Sequence, residues 1–232
     1  MNTIIKAEGI YKTYNETNVP VNALNGIDIE IEKGEFTAIV GPSGSGKTTL
    51  LNIIGGLDLP TRGDIFIDGN NLKDLSSRQL IDFRLHNIGF VFQAYNLIPV
   101  LTARENTEFI MELQKRPKKE RDEKVNELLN AVGISDKADH RPGQLSGGQQ
   151  QRVAVARALA SQPKYIIADE PTANLDSVST NELLELMAEM NKKYQTTFVF
   201  ATHDQRVMDK ARRIITVEDG KVLKDEVFDR KK

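Results

Sequence analysis

The sequence contains no cysteine. That absence removes disulfides, thiolate nucleophiles, iron–sulfur ligation and cysteine-based zinc sites together, and leaves only oxygen and nitrogen ligands for any metal. A charge excess is missing too: 31 basic against 33 acidic side chains give a net charge of −2, which argues against a bulk electrostatic grip on nucleic acid. No apolar run reaches membrane length. The longest uncharged stretch, Leu85 to Ala103, is interrupted by His86, Asn87, Gln93, Asn96 and Pro99, whereas a spanning helix needs about 20 mostly apolar residues. The opening segment MNTIIKAEGIYKTY has no apolar core followed by a small-residue cleavage site, which predicts a chain without a leader. On that expectation the glycosylation-like tripeptide Asn15-Glu16-Thr17 carries no meaning.

What is present suits a folded domain: 232 residues, 39% hydrophobic and 28% charged, with only 8 prolines. Ile27, Ile29 and Ile31 alternate with acidic residues, the period of a half-buried strand that Lys33-Gly34 then turns. Phe36 to Val40 is a continuous apolar run, as a buried parallel strand requires, and it breaks at Gly41. TTLLNIIGGL predicts a helix ended near Gly55-Gly56, and GDIFIDG a strand closed by Asp68-Gly69. From about residue 94 the composition becomes charged and helical, with KRPKKERDEK expected as a solvated loop and helix start. Strand runs return at YIIA and TTFVFAT, separated by a helix carrying Leu183, Met187 and Met190 on one stripe, and RIITVEDGKVL predicts a closing hairpin on Asp219-Gly220. Alternating strands and helices around a glycine loop predict an α/β fold with a mainly parallel core sheet.

Three segments carry chemistry. Gly41-Pro42-Ser43-Gly44-Ser45-Gly46-Lys47-Thr48-Thr49 fits the phosphate-loop pattern and sits where it must, after an apolar strand and before a helix. Its glycines let successive amides face phosphates, Lys47 bridges the β- and γ-phosphates, and Thr48 offers a hydroxyl to Mg²⁺. Asp169 and Glu170 end an apolar strand; an acidic pair there is often merely solvated, but beside a phosphate loop Asp169 is placed for Mg²⁺ and Glu170 for the attacking water. Leu145-Ser146-Gly147-Gly148-Gln149 opens a second helix and makes a second anion-binding N-terminus, one more than a single nucleotide needs.

With the glutamine segment FVFQ ending at Gln93, the NLD segment 174–176 and ATHD with His203, these segments occur in one order that resembles the nucleotide-binding subunits of ATP-binding-cassette (ABC) transporters, most of all the MacB/LolD group. The resemblance covers nearly the whole chain. It implies the ABC ATPase variant of the phosphate-loop fold, a single domain with an N-terminal antiparallel β subdomain, a nucleotide-binding core over 1–93 and 161–232, and an inserted helical subdomain over about 94–160. It implies Mg·ATP hydrolysis in a homodimer that forms on ATP binding, with Leu145, Ser146, Gly147, Gly148 and Gln149 acting in trans and Asp176 linking the two sites. It also implies Gln93 at Mg²⁺ and the water, His203 at the γ-phosphate, and Tyr14 stacked on adenine, with Tyr11 the alternative. The implied partner is an integral-membrane permease at the cytoplasmic face of the inner membrane, with no membrane insertion of this chain; the apolar cluster Tyr95, Leu97, Ile98, Pro99 and Leu101 after Gln93 either packs the core of the helical subdomain or, over Tyr95 to Pro99, helps line a groove for a permease helix. The work implied is export or extraction of a lipophilic drug, peptide or lipoprotein.

Two other readings compete. A soluble cassette acting on nucleic acid or ribosomes would carry tandem cassettes or a coiled-coil insertion, yet only 169 − 47 = 122 positions separate Lys47 from Asp169, without heptads. A module that holds ATP without hydrolysing it would not need Asp169, Glu170, Gln93 and His203 together.

Overall fold

In the computed structural model, residues 2–14 and 20–228 are described; the Asn15–Thr17 tripeptide lies outside them. Two sheets build the molecule. Strands β1 (Thr3–Tyr14), β2 (Val21–Glu32), β4 (Arg62–Ile67) and β5 (Asn70–Asn71) form an antiparallel sheet in the order β2-β1-β4-β5. Strands β3 (Phe36–Val40), β6 (Ile88–Phe92), β7 (Tyr165–Asp169), β8 (Thr197–Thr202), β9 (Arg213–Glu218) and β10 (Lys221–Val227) form the other, ordered β10-β9-β3-β8-β7-β6. All its neighbours are parallel except the β9–β10 hairpin, whose turn residues Asp219 and Gly220 both have positive φ.

The parallel strands are buried on both faces, and their side chains divide with period two. Phe36, Ala38 and Val40 of β3 and Phe198 and Phe200 of β8 face one apolar cluster, while Ile39, Val199 and Ala201 face the other. The second cluster lies between the two sheets and encloses α1 (Lys47–Ile54), whose Leu50, Leu51, Ile53 and Ile54 are all buried. The phosphate-loop helix is thus clamped between sheets, which fixes the direction of its N-terminus. On the opposite face lie α3 (Ala103–Leu113), α4 (Lys118–Ala131), α5 (Gly147–Ala160) and α6 (Ser177–Tyr194), with Leu183, Met187 and Met190 buried as their spacing predicts.

Two elements have no counterpart among the sequence expectations. β1 shows no simple alternation because its pairing with β2 shifts register repeatedly, and Gly9 takes a positive φ within it. The helix α2 (Ser77–Asn87) buries no residue, so it has no apolar stripe to read; a Ser76–Gln79 capping box starts it. The charged run at 115–124 is largely solvated, but three of its cations are tied down: Arg121 Nε donates to Glu108 Oε1 at 2.7 Å and ties α4 to α3, Arg116 donates to Ser161 O at 3.1 Å, and Lys124 lies over the Tyr194 ring. Thr107 is fully buried and donates its hydroxyl to Ala103 O at 2.9 Å. Among the described residues no helix is long and apolar enough to cross a membrane.

Candidate active site

Parallel strands present their carboxyl ends on one edge, and that edge carries the site. β3 delivers the phosphate loop, β6 Gln93, β7 Asp169 and Glu170, and β8, through Thr202, His203. A cavity of about 730 Å³ opens there, lined by Gly41, Pro42, Ser43, Gly44, Gly46, Lys47, Thr48 and Thr49 of the loop together with Tyr14, Gln93, Glu170 and His203. That volume lies within the ~300–1,000 Å³ of small-molecule sites.

Within the loop, Lys47 Nζ donates to Gly41 O at 2.8 Å and Pro42 O at 2.9 Å, which folds the ammonium over the cradle. Glycine is required at Gly41 because a Cβ there would stand 2.0 Å from Val217 O, and at Gly46, whose φ is 103° and whose Cβ would stand 2.5 Å from Ala23 O. Ser45 does not line the cavity. It is buried against the loop, its Oγ has no partner, and its carbonyl accepts from Gly220 N at 3.0 Å.

Behind Thr48, Asp169 Oδ1 lies 3.4 Å from the threonine Oγ1. Burial raises the Asp169 carboxyl above its ordinary range, the Thr48 hydroxyl opposes this, and the neighbouring Glu170 charge adds to it. Glu170 itself has a positive φ of 45°. Its Oε1 accepts from His203 Nδ1 at 2.7 Å and its Oε2 from Thr202 Oγ1 at 3.2 Å, so both carboxylate oxygens are aimed. The contact requires the His203 tautomer protonated on Nδ1, because a carboxylate only accepts.

Tyr14 lines this cavity and Tyr11 does not; Tyr11 lines a separate hollow beside Asp219 and Leu223. The Tyr14 hydroxyl donates to Asp58 Oδ2 at 3.0 Å. None of Leu145, Ser146, Gly147, Gly148 and Gln149 lines the cavity. Ser146 instead caps α5, its Oγ accepting from Gln149 N at 3.3 Å, while Gln149 Oε1 accepts from Ser146 N at 2.9 Å. Asp176 caps α6 likewise, accepting from Val178 N and Ser179 N at 2.9 Å, and the Ser179 amide and then its hydroxyl hold the carboxyl below its usual range. One chain therefore joins the glycine loop, Gln93, Asp169, Glu170 and His203, and leaves Leu145 to Gln149 elsewhere.

The family described as ABC transporter matches residues 24–173. The chain belongs to this family. The lipoprotein-releasing ATP-binding protein LolD 1 of Rhodopseudomonas palustris is 47% identical over 96% of this chain and 99% of its own length. The macrolide export protein MacB of Brucella melitensis is 46% identical over 96% of this chain, which spans only 34% of that relative. Among solved structures, the ATP-binding cassette MJ0796 in a dimeric post-hydrolysis state bound to ADP and Pi has a TM-score of 0.88 at 43% identity, covering 97% of this chain and 98% of that one. The protein is an ABC ATPase cassette, and relatives of this cassette are subunits of membrane transporters.

Several further residues complete the cassette's site. Val21, Asn22 and Ala23 complete the cavity wall, and Thr202 aims Glu170, contributions set by position alone. Asn174 Nδ2 donates to Gln93 O at 3.0 Å, and the buried Gln151 donates from Nε2 to Pro171 O at 2.8 Å. Asn174 belongs to the NLD segment and Thr202 to ATHD, which is their sequence signal; for Val21, Asn22, Ala23 and Gln151 the only signal is proximity to the motifs.

Proposed function

We propose that the cassette is the motor of an exporter or extractor: it hydrolyses Mg·ATP at two composite sites of a homodimer and moves an integral-membrane permease. The observation that carries this reading is the division of the site: the loop residues apart from Ser45 line one cavity with Gln93, Glu170 and His203, Asp169 lies behind Thr48, and the signature segment and Asp176 stand outside it. A second copy, head to tail, supplies what the first lacks: Ser146, Gly148 and Gln149 on the γ-phosphate, with Leu145 and Gly147 shaping that N-terminus, and Asp176 between the sites.

Roles follow from chemistry. The amides of Gly41 to Thr49 and the Lys47 ammonium bind the β- and γ-phosphates, and Tyr14 stacks on the base. Thr48, Asp169 and Gln93 fit Mg²⁺ as hard oxygen donors, and such an ion keeps waters and substrate oxygens among its other ligands. The ion, when bound, neutralises charge developing between the β- and γ-phosphates. Glu170 takes the proton of the attacking water, held in place by His203 and Thr202, and His203 and Gln93 stand at the γ-phosphate end.

The core is 1–93 and 161–232, and the helical subdomain about 94–160. Between them Phe90, Phe92, Ile98 and Phe109 line a cavity of about 330 Å³, the apolar hollow offered, with Tyr95 to Pro99, to a permease helix. The cassette then works at the cytoplasmic face of the inner membrane, attached through the permease. Resemblance to LolD and MacB favours a lipoprotein, lipophilic drug or peptide as cargo. The alternative of a soluble cassette on nucleic acid or ribosomes finds no support among these relatives.

The test is wild-type ATPase activity beside size-exclusion chromatography of Glu170→Gln with and without Mg·ATP. Slow wild-type turnover, an inactive variant and an ATP-dependent dimer are expected. A variant turning over near the wild-type rate removes Glu170 from the base role, and a monomer with ATP demonstrably bound overturns the shared site.

A further inference from the structure

From Phe92 at the end of β6 to Asn96, every backbone carbonyl accepts a hydrogen bond. Phe92 O accepts from Tyr95 N at 3.2 Å and Ala94 O from Asn96 N at 2.6 Å, within the turn itself. Gln93 O accepts from the Asn174 side chain at 3.0 Å. Tyr95 O and Asn96 O both accept from one guanidinium, that of Arg157 on α5, through Nη2 at 2.9 Å and Nη1 at 2.5 Å. Tyr95 and Asn96 are also consecutive residues with left-handed backbone, φ 58° and 50°. A side chain with a Cβ disfavours that region, and two in succession persist only where neighbours over-determine them.

Arg157 has the means to do so. It is half-buried, burial draws its pKa down, and no carboxylate acts on it among the described residues. Its bonds therefore go to the turn rather than to an ion pair. A planar fork reaches two carbonyls on adjacent residues; an ammonium reaches them as a single point. The turn also touches the signature helix, since a Cβ on Gly147 would stand 2.8 Å from Tyr95 Oη.

We propose that Arg157 is a positioning residue for ATP hydrolysis, clamping Tyr95 and Asn96 in their left-handed turn and thereby fixing where β6 presents Gln93 to the nucleotide. This rests on the reading of Gln93 as a group that meets the γ-phosphate end.

The experiment is steady-state ATPase kinetics of the full chain carrying Arg157→Met, Arg157→Lys, Gln93→Ala and the double variant Arg157→Met/Asn96→Gly, each with its melting temperature. Misplacing a reacting group by a fraction of an ångström costs on the order of tenfold or more in rate, so Arg157→Met is expected to lose about tenfold in kcat with KM for ATP within about threefold. Arg157→Lys falls between. Glycine enters the left-handed region freely, so adding Asn96→Gly is expected to recover at least about threefold in kcat, which lost packing at Arg157 would not allow. Wild-type kcat in Arg157→Met, or a loss that Asn96→Gly leaves unchanged, overturns the proposal while Gln93→Ala remains slow. If Gln93→Ala keeps wild-type kcat, the reading of Gln93 fails and takes the proposal with it. Should Arg157→Met not fold, Asn96→Val at its exposed position tests the same turn, because a β-branched residue resists positive φ: a drop in kcat at unchanged melting temperature supports the clamp, and wild-type kcat refutes it.

Discussion

Thr202→Val isolates the support of the proposed base without touching the nucleotide. The change is isosteric at a fully buried position, so it removes only the hydroxyl. That hydroxyl donates to Glu170 Oε2 at 3.2 Å and accepts from Asp204 N at 3.0 Å. A hydrogen bond to a charged group is worth about 1.5–3 kcal/mol, and the long distance argues for the lower end. If the bond holds Glu170 in the transition state, about 1.4 kcal/mol corresponds to a tenfold lower kcat. Because Thr202 does not line the nucleotide cavity, KM for ATP is expected within about twofold. The orphaned Asp204 amide adds a stability cost of about 1–2 kcal/mol, or roughly 2–8 °C in melting temperature for a chain of this size. Phosphate release at saturating ATP, with Thr202→Ser as the variant that keeps the hydroxyl, measures both effects. An unchanged kcat in Thr202→Val, or a KM that rises as kcat falls, would refute the argument that this hydroxyl aims the carboxylate.

Lys47→Ala removes the ammonium over the phosphate cradle, and isothermal titration should show ATP binding about 10- to 100-fold weaker; a change under twofold would exclude Lys47 from phosphate contact. Asn106, nearly fully buried, donates to Ile98, Leu101 and Thr102 carbonyls and accepts from Ile98 N at 2.8 Å. Asn106→Ala leaves the Ile98 amide unpaired and should cost about 3 kcal/mol in urea unfolding, with less than about 1 kcal/mol counting against this loop tether. Acid should also weaken the fold through two depressed carboxyls: Asp68, held low by Lys164 and then Lys33, and Asp204, held low by Arg206. A carboxyl depressed in the folded state stabilises it above the unfolded value near ~3.9 and loses that contribution as pH falls through the lower folded value. Urea midpoints of wild type and Asp68→Asn/Asp204→Asn should therefore converge below about pH 4. A wild-type advantage as large at pH 3 as at pH 7 would contradict the shifts.

Local features were legible in the chain because their physics is local. The Gly41–Thr49 loop, the Ile27-Ile29-Ile31 alternation, the Asp219-Gly220 turn and the stripe of Leu183, Met187 and Met190 each depend on neighbours within a few positions. The gapless apolar runs at Phe36–Val40 and Tyr165–Ala168 already imply strands buried on both faces. β1 and α2 escaped because bulges break the period of the first and the second buries nothing. Motif order could name Gln93, Glu170 and His203, but only the strand order β3-β8-β7-β6 brings them to one sheet edge, and only the fold places Tyr14 in the cavity and Tyr11 in a separate hollow. The contacts of Thr202, Gln151, Asn174 and Arg157 belong wholly to the tertiary structure. A hydrogen bond has meaning only between positions in space, and packing alone brings Arg157 to a turn 62 and 61 residues behind it in the sequence.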